Sequence, residues 1–133
     1  MNCILGFQPR FVPLVEAGAK LHTIRRRRAD GKNPEPGDTL YLYAHHRSKL
    51  SRRIGTEVCE KVADVLVLPP LGPIPQIYLG GELLIPEEAD AFSRADGFAD
   101  TGELLAFLDE RYGLPFSGLL ICWKFTPTYY RVQ

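Results

Sequence analysis

Short segments in which apolar and polar residues alternate recur along this chain of 133 residues, and glycine or proline separates most of them. Alternation with a period of two predicts strands that each have one buried and one exposed face. It is clearest over residues 39–44 and in the segment where Leu119, Ile121, Trp123 and Phe125 share one face. Because these strands do not alternate regularly with helices, we predict an α+β fold, a small β-barrel with short helices packed around it, in preference to a parallel sheet.

Further strands are predicted where β-branched and aromatic residues cluster. Residues 3–7 form a short buried strand in this interpretation, and residues 54–68 form a long β-rich stretch that breaks near Glu60. Two short strands are expected around Gly80. The proline-rich segment 69–75 is predicted to be a stiff, extended connection within the domain, because no second core follows it.

Three helices are predicted from their start and stop signals. Pro9 suits the first position of a helix of about two turns, which Gly18 ends, so that the chain then continues as an extended segment. A second helix is predicted over residues 86–96, with acidic residues in its first turn. A third is predicted over residues 100–113, where Glu103 forms a capping box with the first residue.

Length and composition predict one globular domain over residues 1–133. Hydrophobic residues make up 45% and charged residues 24% of the chain, a balance that excludes a disordered chain or a coiled coil. No apolar stretch approaches the roughly 18 residues that span a bilayer, and the N-terminus lacks signal-peptide features, so we expect a cytoplasmic protein without membrane contact. Cys3, Cys59 and Cys122 form no CxxC pair, which predicts neither disulfides nor a zinc site.

The formal net charge of zero hides a strong asymmetry along the chain. Residues 20–53 contain ten lysines and arginines against three acids, a net charge of +7, whereas residues 54–133 contain five basic residues against twelve acids, a net charge of −7. All three histidines, His22, His45 and His46, lie in the basic segment. A positive surface of this kind attracts and holds phosphate groups, which favours an anionic ligand.

The segment that follows the first predicted helix concentrates residues that bind anions. Lys20, Thr23 and Arg25 are followed directly by Arg26, Arg27 and Arg28. An ammonium group surrounded by guanidinium groups tends to lose its proton, because like charges disfavour the charged form, and a neutral lysine is a base. The alternative is that this run is a solvated basic face without a specific ligand.

Three sequence elements occur in a fixed order in this chain. Gly-x-Lys-x-x-Thr-Ile-Arg occupies residues 18–25, Pro-Gly-Asp-Thr-Leu occupies residues 36–40, and Asp-Gly-Phe occupies residues 96–98 before the capped helix. This order resembles the ASCH domain of the PUA-like superfamily, and the match touches most of the chain. The resemblance implies a small β-barrel with a cleft, a role in binding RNA and, in some members, hydrolysis.

The resemblance also assigns candidate catalytic residues. One enzyme of this type removes the acetyl group from 4-acetylcytidine with a lysine, a threonine and a glutamate. The lysine corresponds to Lys20, the threonine to Thr23 and the acidic residue to Asp96. Because aspartate is one methylene shorter than glutamate, its carboxylate would lie about an ångström or more from the position that a glutamate carboxylate takes. This difference affects catalysis more than binding.

Three functional hypotheses follow from these residues. The first is a module that binds RNA or a nucleotide in a cleft lined by Lys20, Thr23, Arg25 and Asp96. Further phosphate contacts are predicted at Arg26, Arg28, Arg47, Lys49, Arg52 and Arg53. The second is a metal-independent amidohydrolase that acts on an acylated nucleoside, and the third is a metal-independent ribonuclease that uses one histidine of the 45–46 pair with Lys20. The sequence indicates no cofactor and no protein partner.

Aromatic and histidine residues on the predicted strands allow two interpretations each. Tyr41, Tyr43 and Trp123 can stack on bases, but aromatic residues of alternating strands are more often part of the core, where we expect these three. His45 and His46 end a predicted strand and point to opposite faces, so at most one of them faces a cleft. Since no third ligand lies nearby in the sequence, no metal site is predicted.

Overall fold

Eight strands and three short helices make up residues 1–123, the part of the chain that the computed structural model describes. The strands are β1 (Asn2–Phe7), β2 (His22–Arg25), β3 (Thr39–Ala44), β4 (Arg52–Val58), β5 (Lys61–Leu71), β6 (Ile74–Leu79), β7 (Glu82–Leu83) and β8 (Phe116–Cys122). The helices are α1 (Val12–Glu16), which follows a 3₁₀ turn over Pro9–Phe11, then α2 (Pro86–Ala95) and α3 (Thr101–Tyr112). The mixed composition confirms the predicted α+β class.

The strands pair into two open sheets. The first has the order β1-β3-β4, with β1 parallel to β3, and the second has the order β2-β8-β5-β6-β7, with every pair antiparallel. Within residues 1–123 neither sheet closes on itself, so the predicted closed barrel is not seen. The edge strands β1 and β2 do not pair, and a groove lies between them, lined by β1 on one side and by Arg25, Leu119 and Ile121 on the other.

One continuous core joins both sheets and the helices. Leu40 and Leu42 of β3, Val67 of β5, Phe92 of α2 and Leu104 of α3 are almost completely buried. The capping signal of α3 is confirmed in part, because the Asp100 carboxylate accepts a hydrogen bond from the Glu103 N–H at 2.9 Å. The Glu103 carboxylate reaches back to the N–H of Ala99 and not to that of Asp100.

The aromatic residues of the strands divide between the two faces of the sheets. Trp123 is buried and packs edge-on against Phe7, with ring centroids 6.0 Å apart, as expected for a core residue. Tyr41 and Tyr43 are half-buried and lie on the face of β3 opposite its leucines, so the prediction that they belong to the core is wrong. The predicted strand position of Phe125 lies outside the described residues.

One predicted connection also differs from the structure. β5 continues through Pro69 and Pro70 to Leu71, and a tight turn at Gly72 leads into β6, so residues 69–75 form a hairpin and not an extended connection. The prolines are tolerated because the β5–β6 register shifts between Leu68 and Leu71, where no amide N–H is required. Arg52 and Arg53, two of the predicted phosphate contacts, lie on β4.

The close approach of β2 to β8 depends on Gly118. A Cβ atom at this position would collide with the carbonyl oxygen of Arg25 and would lie 2.7 Å from the Phe116 ring. We therefore expect Gly118→Ala to lower the free energy of unfolding by about 1 to 3 kcal/mol, measured by urea denaturation. Gly102→Ala in α3, where the nearest atom is a side-chain oxygen at 3.4 Å, should not destabilise the protein. Equal stability of the two variants would contradict the close approach.

Candidate functional site

The end of α1 places the candidate lysine. Gly18 adopts a left-handed φ of 74°, and the backbone N–H groups of Ala19 and Lys20 both donate to the Leu14 carbonyl oxygen, at 2.9 and 3.1 Å. The chain then leaves the helix in an extended conformation and enters β2 at His22. Because alternate residues of a strand share a face, Thr23 and Arg25 lie on the same face of β2.

The candidate carboxylate lies at the end of α2. Asp96 follows the last residue of this helix, and Gly97 turns the chain with a φ of 101°. A Cβ atom on Gly97 would lie 3.1 Å from side-chain atoms of both Leu14 and Phe11, so the absence of a side chain lets this turn pack against the first helical segment. The helix ends of α1 and α2 therefore bring Asp96 to Lys20.

Lys20 is only 2% exposed, and its ammonium group is held by the Asp96 turn. The Nζ atom donates to the Asp96 carbonyl oxygen at 2.5 Å and lies 3.3 Å from Asp96 Oδ1. It also lies 4.6 Å from the centroid of the Phe11 ring. One carbonyl, one carboxylate and one aromatic face thus surround a buried amine.

His22 completes this buried cluster, although its sequence context did not mark it as a site residue. Its Nδ1 atom lies 2.8 Å from Asp96 Oδ1, and its ring stacks on Phe92 with centroids 5.2 Å apart. The side chain is fully buried. Its position two residues after Lys20 and one before Thr23 was the only signal in the sequence, because a histidine among basic residues otherwise resembles part of a charged surface.

Arg25 connects β2 to β1. Its Nε atom donates to Thr23 Oγ1 at 3.1 Å, its Nη2 atom donates to the Gly6 carbonyl oxygen at 2.7 Å, and its guanidinium carbon lies 5.0 Å from the Phe7 ring centroid. Within residues 1–123 no carboxylate forms an ion pair with Arg25. The groups that contact this half-buried cation directly are therefore neutral, and the Asp96 carboxylate acts on it only at longer range.

Lys20, Thr23, Arg25 and Asp96 line one cavity of about 80 Å³, which we call the lysine pocket. Its walls are largely aromatic and aliphatic. The remaining lining residues are Gly6, Phe7, Gln8, Phe11, Ile24, Phe98, Leu104, Phe107, Leu108, Arg111 and Tyr112. The four residues that the sequence analysis grouped into one cleft are therefore neighbours in the structure.

A second and larger cavity of about 610 Å³, the basic groove, lies between β1 and the β2–β8 edge. Its cationic lining residues are Arg25, Arg26, Arg28, Lys32 and Arg47, together with the N-terminal residue Met1. Arg28 is partly neutralised by an ion pair with Asp30 at 2.9 Å. The groove and the lysine pocket share Gly6 and Arg25, so the two cavities meet at the hydrogen bond between these residues.

The other predicted phosphate contacts lie outside both cavities. Arg52 forms an ion pair with Glu16 at 3.0 Å, the guanidinium group of Arg53 lies over the Tyr41 ring, and Lys49 is exposed on the loop after β3. The predicted set of basic residues is thus divided between the groove and the neighbouring sheet face.

The two adjacent histidines have different surroundings. His46 lines the basic groove, whereas His45 lines neither of the two cavities and has a φ of 52°; both side chains are exposed. This agrees with the expectation that at most one of them faces a cleft. A ribonuclease that uses this histidine with Lys20 stays a prediction.

Burial shifts the pKa values of the two central cations. Burial lowers the pKa of Lys20 below its usual 10.5, and nearby Asp96 opposes this shift only in part. Burial also lowers the pKa of Arg25. A lysine whose pKa is lowered spends more time as the neutral amine, which can accept a proton.

The lowered pKa of Lys20 predicts a pH dependence of stability. Between the folded-state pKa of Lys20 and 10.5 the unfolded chain binds more protons than the folded protein, so the free energy of unfolding rises with pH in this window. A Lys20→Met variant lacks this contribution. Urea denaturation of both proteins between about pH 7 and about pH 10 measures this effect. The free energy of unfolding of the wild type minus that of the variant should increase with pH. A constant or decreasing difference would contradict a lysine destabilised by burial.

Residues 1–123 contain no group of three histidine, cysteine or acidic side chains placed to hold a metal ion. None of the helices in this part of the chain is long and apolar enough to cross a membrane. Comparisons with protein-family models, curated proteins and solved structures found no match. The geometry around Lys20 and Arg25 is therefore the main guide to function.

Proposed function

We propose that this protein is an ASCH-like module that binds a nucleotide, either free or within single-stranded RNA, with the base in the lysine pocket and the phosphate in the basic groove. The observation that carries this proposal is that the two cavities share Arg25 and Gly6. A nucleotide has two matching parts: a flat base, which stacks on aromatic rings and forms hydrogen bonds at its edges, and an anionic phosphate. The two open sheets would then correspond to an incomplete PUA-like barrel, with the ligand at the gap.

The charge of Arg25 supports an anionic ligand at this junction. Burial removes solvation from this cation, and the longer-range attraction of Asp96 offsets that loss only in part, so the pKa of Arg25 is lowered. A phosphate in the groove would supply a compensating negative charge and accept the bidentate hydrogen bonds that a guanidinium group favours. Arg26 and Arg47, which line the same groove, would add attraction at longer range.

The lysine pocket has the lining that a base requires. Phe7, Phe11 and Tyr112 provide apolar and aromatic walls, while Lys20 and Asp96 place an amine and a carboxylate at its polar end. Aromatic walls with a few convergent polar groups are typical of sites that bind a planar heterocycle.

The proposal is tested by calorimetric titration with the four common nucleoside monophosphates and their nucleosides, at about 50 and about 200 mM salt with chelator present. We expect at least one monophosphate to bind more tightly than its nucleoside, and its advantage to shrink at the higher salt concentration, because the phosphate contact is electrostatic. If no monophosphate binds, or if nucleoside and monophosphate bind equally at low salt, the proposal is wrong.

A metal-independent amidohydrolase acting on an acylated nucleoside is the second candidate function. The favouring observation is that Asp96 lies 3.3 Å from Lys20 Nζ, despite its shorter side chain, because the Gly97 turn brings the whole residue close. In this reaction neutral Lys20 takes a proton from water or from the Thr23 hydroxyl, and the resulting oxygen nucleophile attacks the acetyl carbon. With water as the nucleophile, the amide C–N bond then breaks and the proton passes to the leaving nitrogen, which gives acetate and the free amine. With Thr23 as the nucleophile, the same bond breaks and the amine leaves, and water then hydrolyses the acetyl ester on Thr23 to acetate and the free hydroxyl.

Chromatographic assay of 4-acetylcytidine incubated with the protein and chelator separates the two functions. Formation of cytidine and acetate by the wild type, but not by a folded Lys20→Met variant prepared in parallel, would establish hydrolysis. Absence of turnover in a preparation that binds nucleotides would leave binding as the function.

A further inference from the structure

The outer face of the three-stranded sheet presents two tyrosines side by side on one strand. Tyr41 and Tyr43 alternate with the buried residues Leu40 and Leu42, so both rings lie on the side of β3 that faces away from the core. Two strand positions span about 6.6 to 6.8 Å, which sets the approximate spacing of the two rings along the strand.

The surroundings of this face are uncharged or cationic. The outward positions that share the register of the two tyrosines are Asn2, Ile4 and Gly6 of β1, Thr39 of β3, and Arg53, Thr56 and Val58 of β4. None of these residues is acidic. The guanidinium carbon of Arg53 lies 5.4 Å from the Tyr41 ring centroid, so a fixed positive charge lies directly beside an aromatic face.

The same face continues into the basic groove. The His46 ring lies 5.7 Å from the Tyr43 ring, and a Cβ atom on Gly6 would lie only 2.9 Å from His46 Cβ, so this histidine packs directly on β1. Both His46 and Ile4 line the groove, and Ile4 is also paired in register with Tyr41. An extended ligand that leaves the groove at His46 therefore meets the two tyrosines next.

We propose that Tyr41 and Tyr43 form a stacking platform for two further nucleotides of a single-stranded RNA whose phosphates run from the basic groove across the sheet. This proposal extends the proposed function from one nucleotide to a short strand. Single-stranded RNA is recognised by aromatic side chains that stack on its exposed bases and by cations that follow its backbone, and this face has both. Duplex RNA lacks the exposed base faces that such a platform needs.

The test measures fluorescence anisotropy of a labelled oligouridylate of about eight nucleotides with the wild type and four variants. We expect Tyr41→Ala and Tyr43→Ala each to raise the dissociation constant at least about fivefold, since stacking on one aromatic residue contributes that much or more. Tyr43→Phe keeps the ring and should change it less than about twofold. Tyr78→Ala is the matched control, because Tyr78 is a half-buried strand tyrosine of the other sheet, and should have no effect.

Mononucleotide binding, measured on the same variants, separates this proposal from the proposed function. Tyrosine-dependent binding of the oligonucleotide supports the platform even if no monophosphate binds, in which case the pocket assignment fails instead. The platform is overturned if Tyr41→Ala and Tyr43→Ala both bind the oligonucleotide as tightly as Tyr78→Ala does. It is also overturned if the wild type does not bind the oligonucleotide, or binds duplex RNA equally well. A dimer in sedimentation experiments that Tyr41→Ala converts to a monomer would also overturn it, because the face would then be an interface between copies of this chain.

Discussion

Replacing Asp96 by alanine is expected to lower the free energy of unfolding by about 3 to 5 kcal/mol. The carboxylate is the negative partner of the fully buried Lys20 amine and also contacts His22 Nδ1. Removing one partner of a buried ion pair leaves the other charge in a low-dielectric environment without compensation, which costs far more than a surface contact. Urea denaturation measures the loss directly.

Two further variants make the Asp96 prediction specific. Asp100→Ala removes the carboxylate that caps α3 and should cost about 1 kcal/mol, because it loses one exposed helix cap. Addition of Lys20→Met to Asp96→Ala removes the uncompensated amine, so the double variant should lose less stability than the sum of the single losses. An Asp96→Ala loss no larger than that of Asp100→Ala would contradict a buried pair, as would strict additivity in the double variant.

Replacing Arg25 by alanine is expected to weaken nucleotide binding by about 2 to 3 kcal/mol, roughly 30- to 150-fold in the dissociation constant. Arg25 lies where the lysine pocket and the basic groove meet, so it faces both the base and the phosphate of the proposed ligand. Its side chain also fixes the Thr23 hydroxyl and the Gly6 carbonyl. Calorimetric titration with the best-bound monophosphate at low salt measures the effect.

Arg27→Ala is the matched control for Arg25→Ala, because it removes the same charge from the same segment. The Arg27 guanidinium pairs with Asp64 and donates to Ser117 Oγ at 3.2 Å, so it is directed to the second sheet and not to the groove. We expect its loss to reduce affinity less than about threefold at low salt, through long-range charge alone. Similar losses in the two variants would mean that the ligand lies elsewhere on the basic surface.

Local signals explain why most of the secondary structure was predictable. Gly18 ends the first helix, the Asp100 carboxylate caps the third, and the alternation over 39–44 marks β3, because each of these depends on residues close in sequence. Alternation does not say which face turns inward, however. In β3 both sets of side chains are largely apolar or aromatic, so the burial of Leu40 in preference to Tyr41 is decided by tertiary packing.

The features that sequence did not reveal depend on distant contacts. Whether a barrel closes depends on the distance between the edges β1 and β2, which are separated by a groove. The pairing of Lys20 with Asp96 was suggested by a motif resemblance alone, since 76 residues separate them. The burial of His22 against Phe92 and Asp96 had no local signal. Similarly, the prolines of residues 69–75 suggest a linker, and the register shift of β5 that accommodates them appears only in the hairpin.

The most direct test of the central claim is a titration of the isotopically labelled protein with the best-bound monophosphate, followed by amide chemical shifts. Binding at the junction of the two cavities predicts saturable shifts that are largest at Gly6, Thr23, Arg25 and Gly97, while the amides of the hairpin over residues 74–83 change little. Shifts that are largest in that hairpin, or that do not saturate at any site, would contradict a nucleotide site between the lysine pocket and the basic groove.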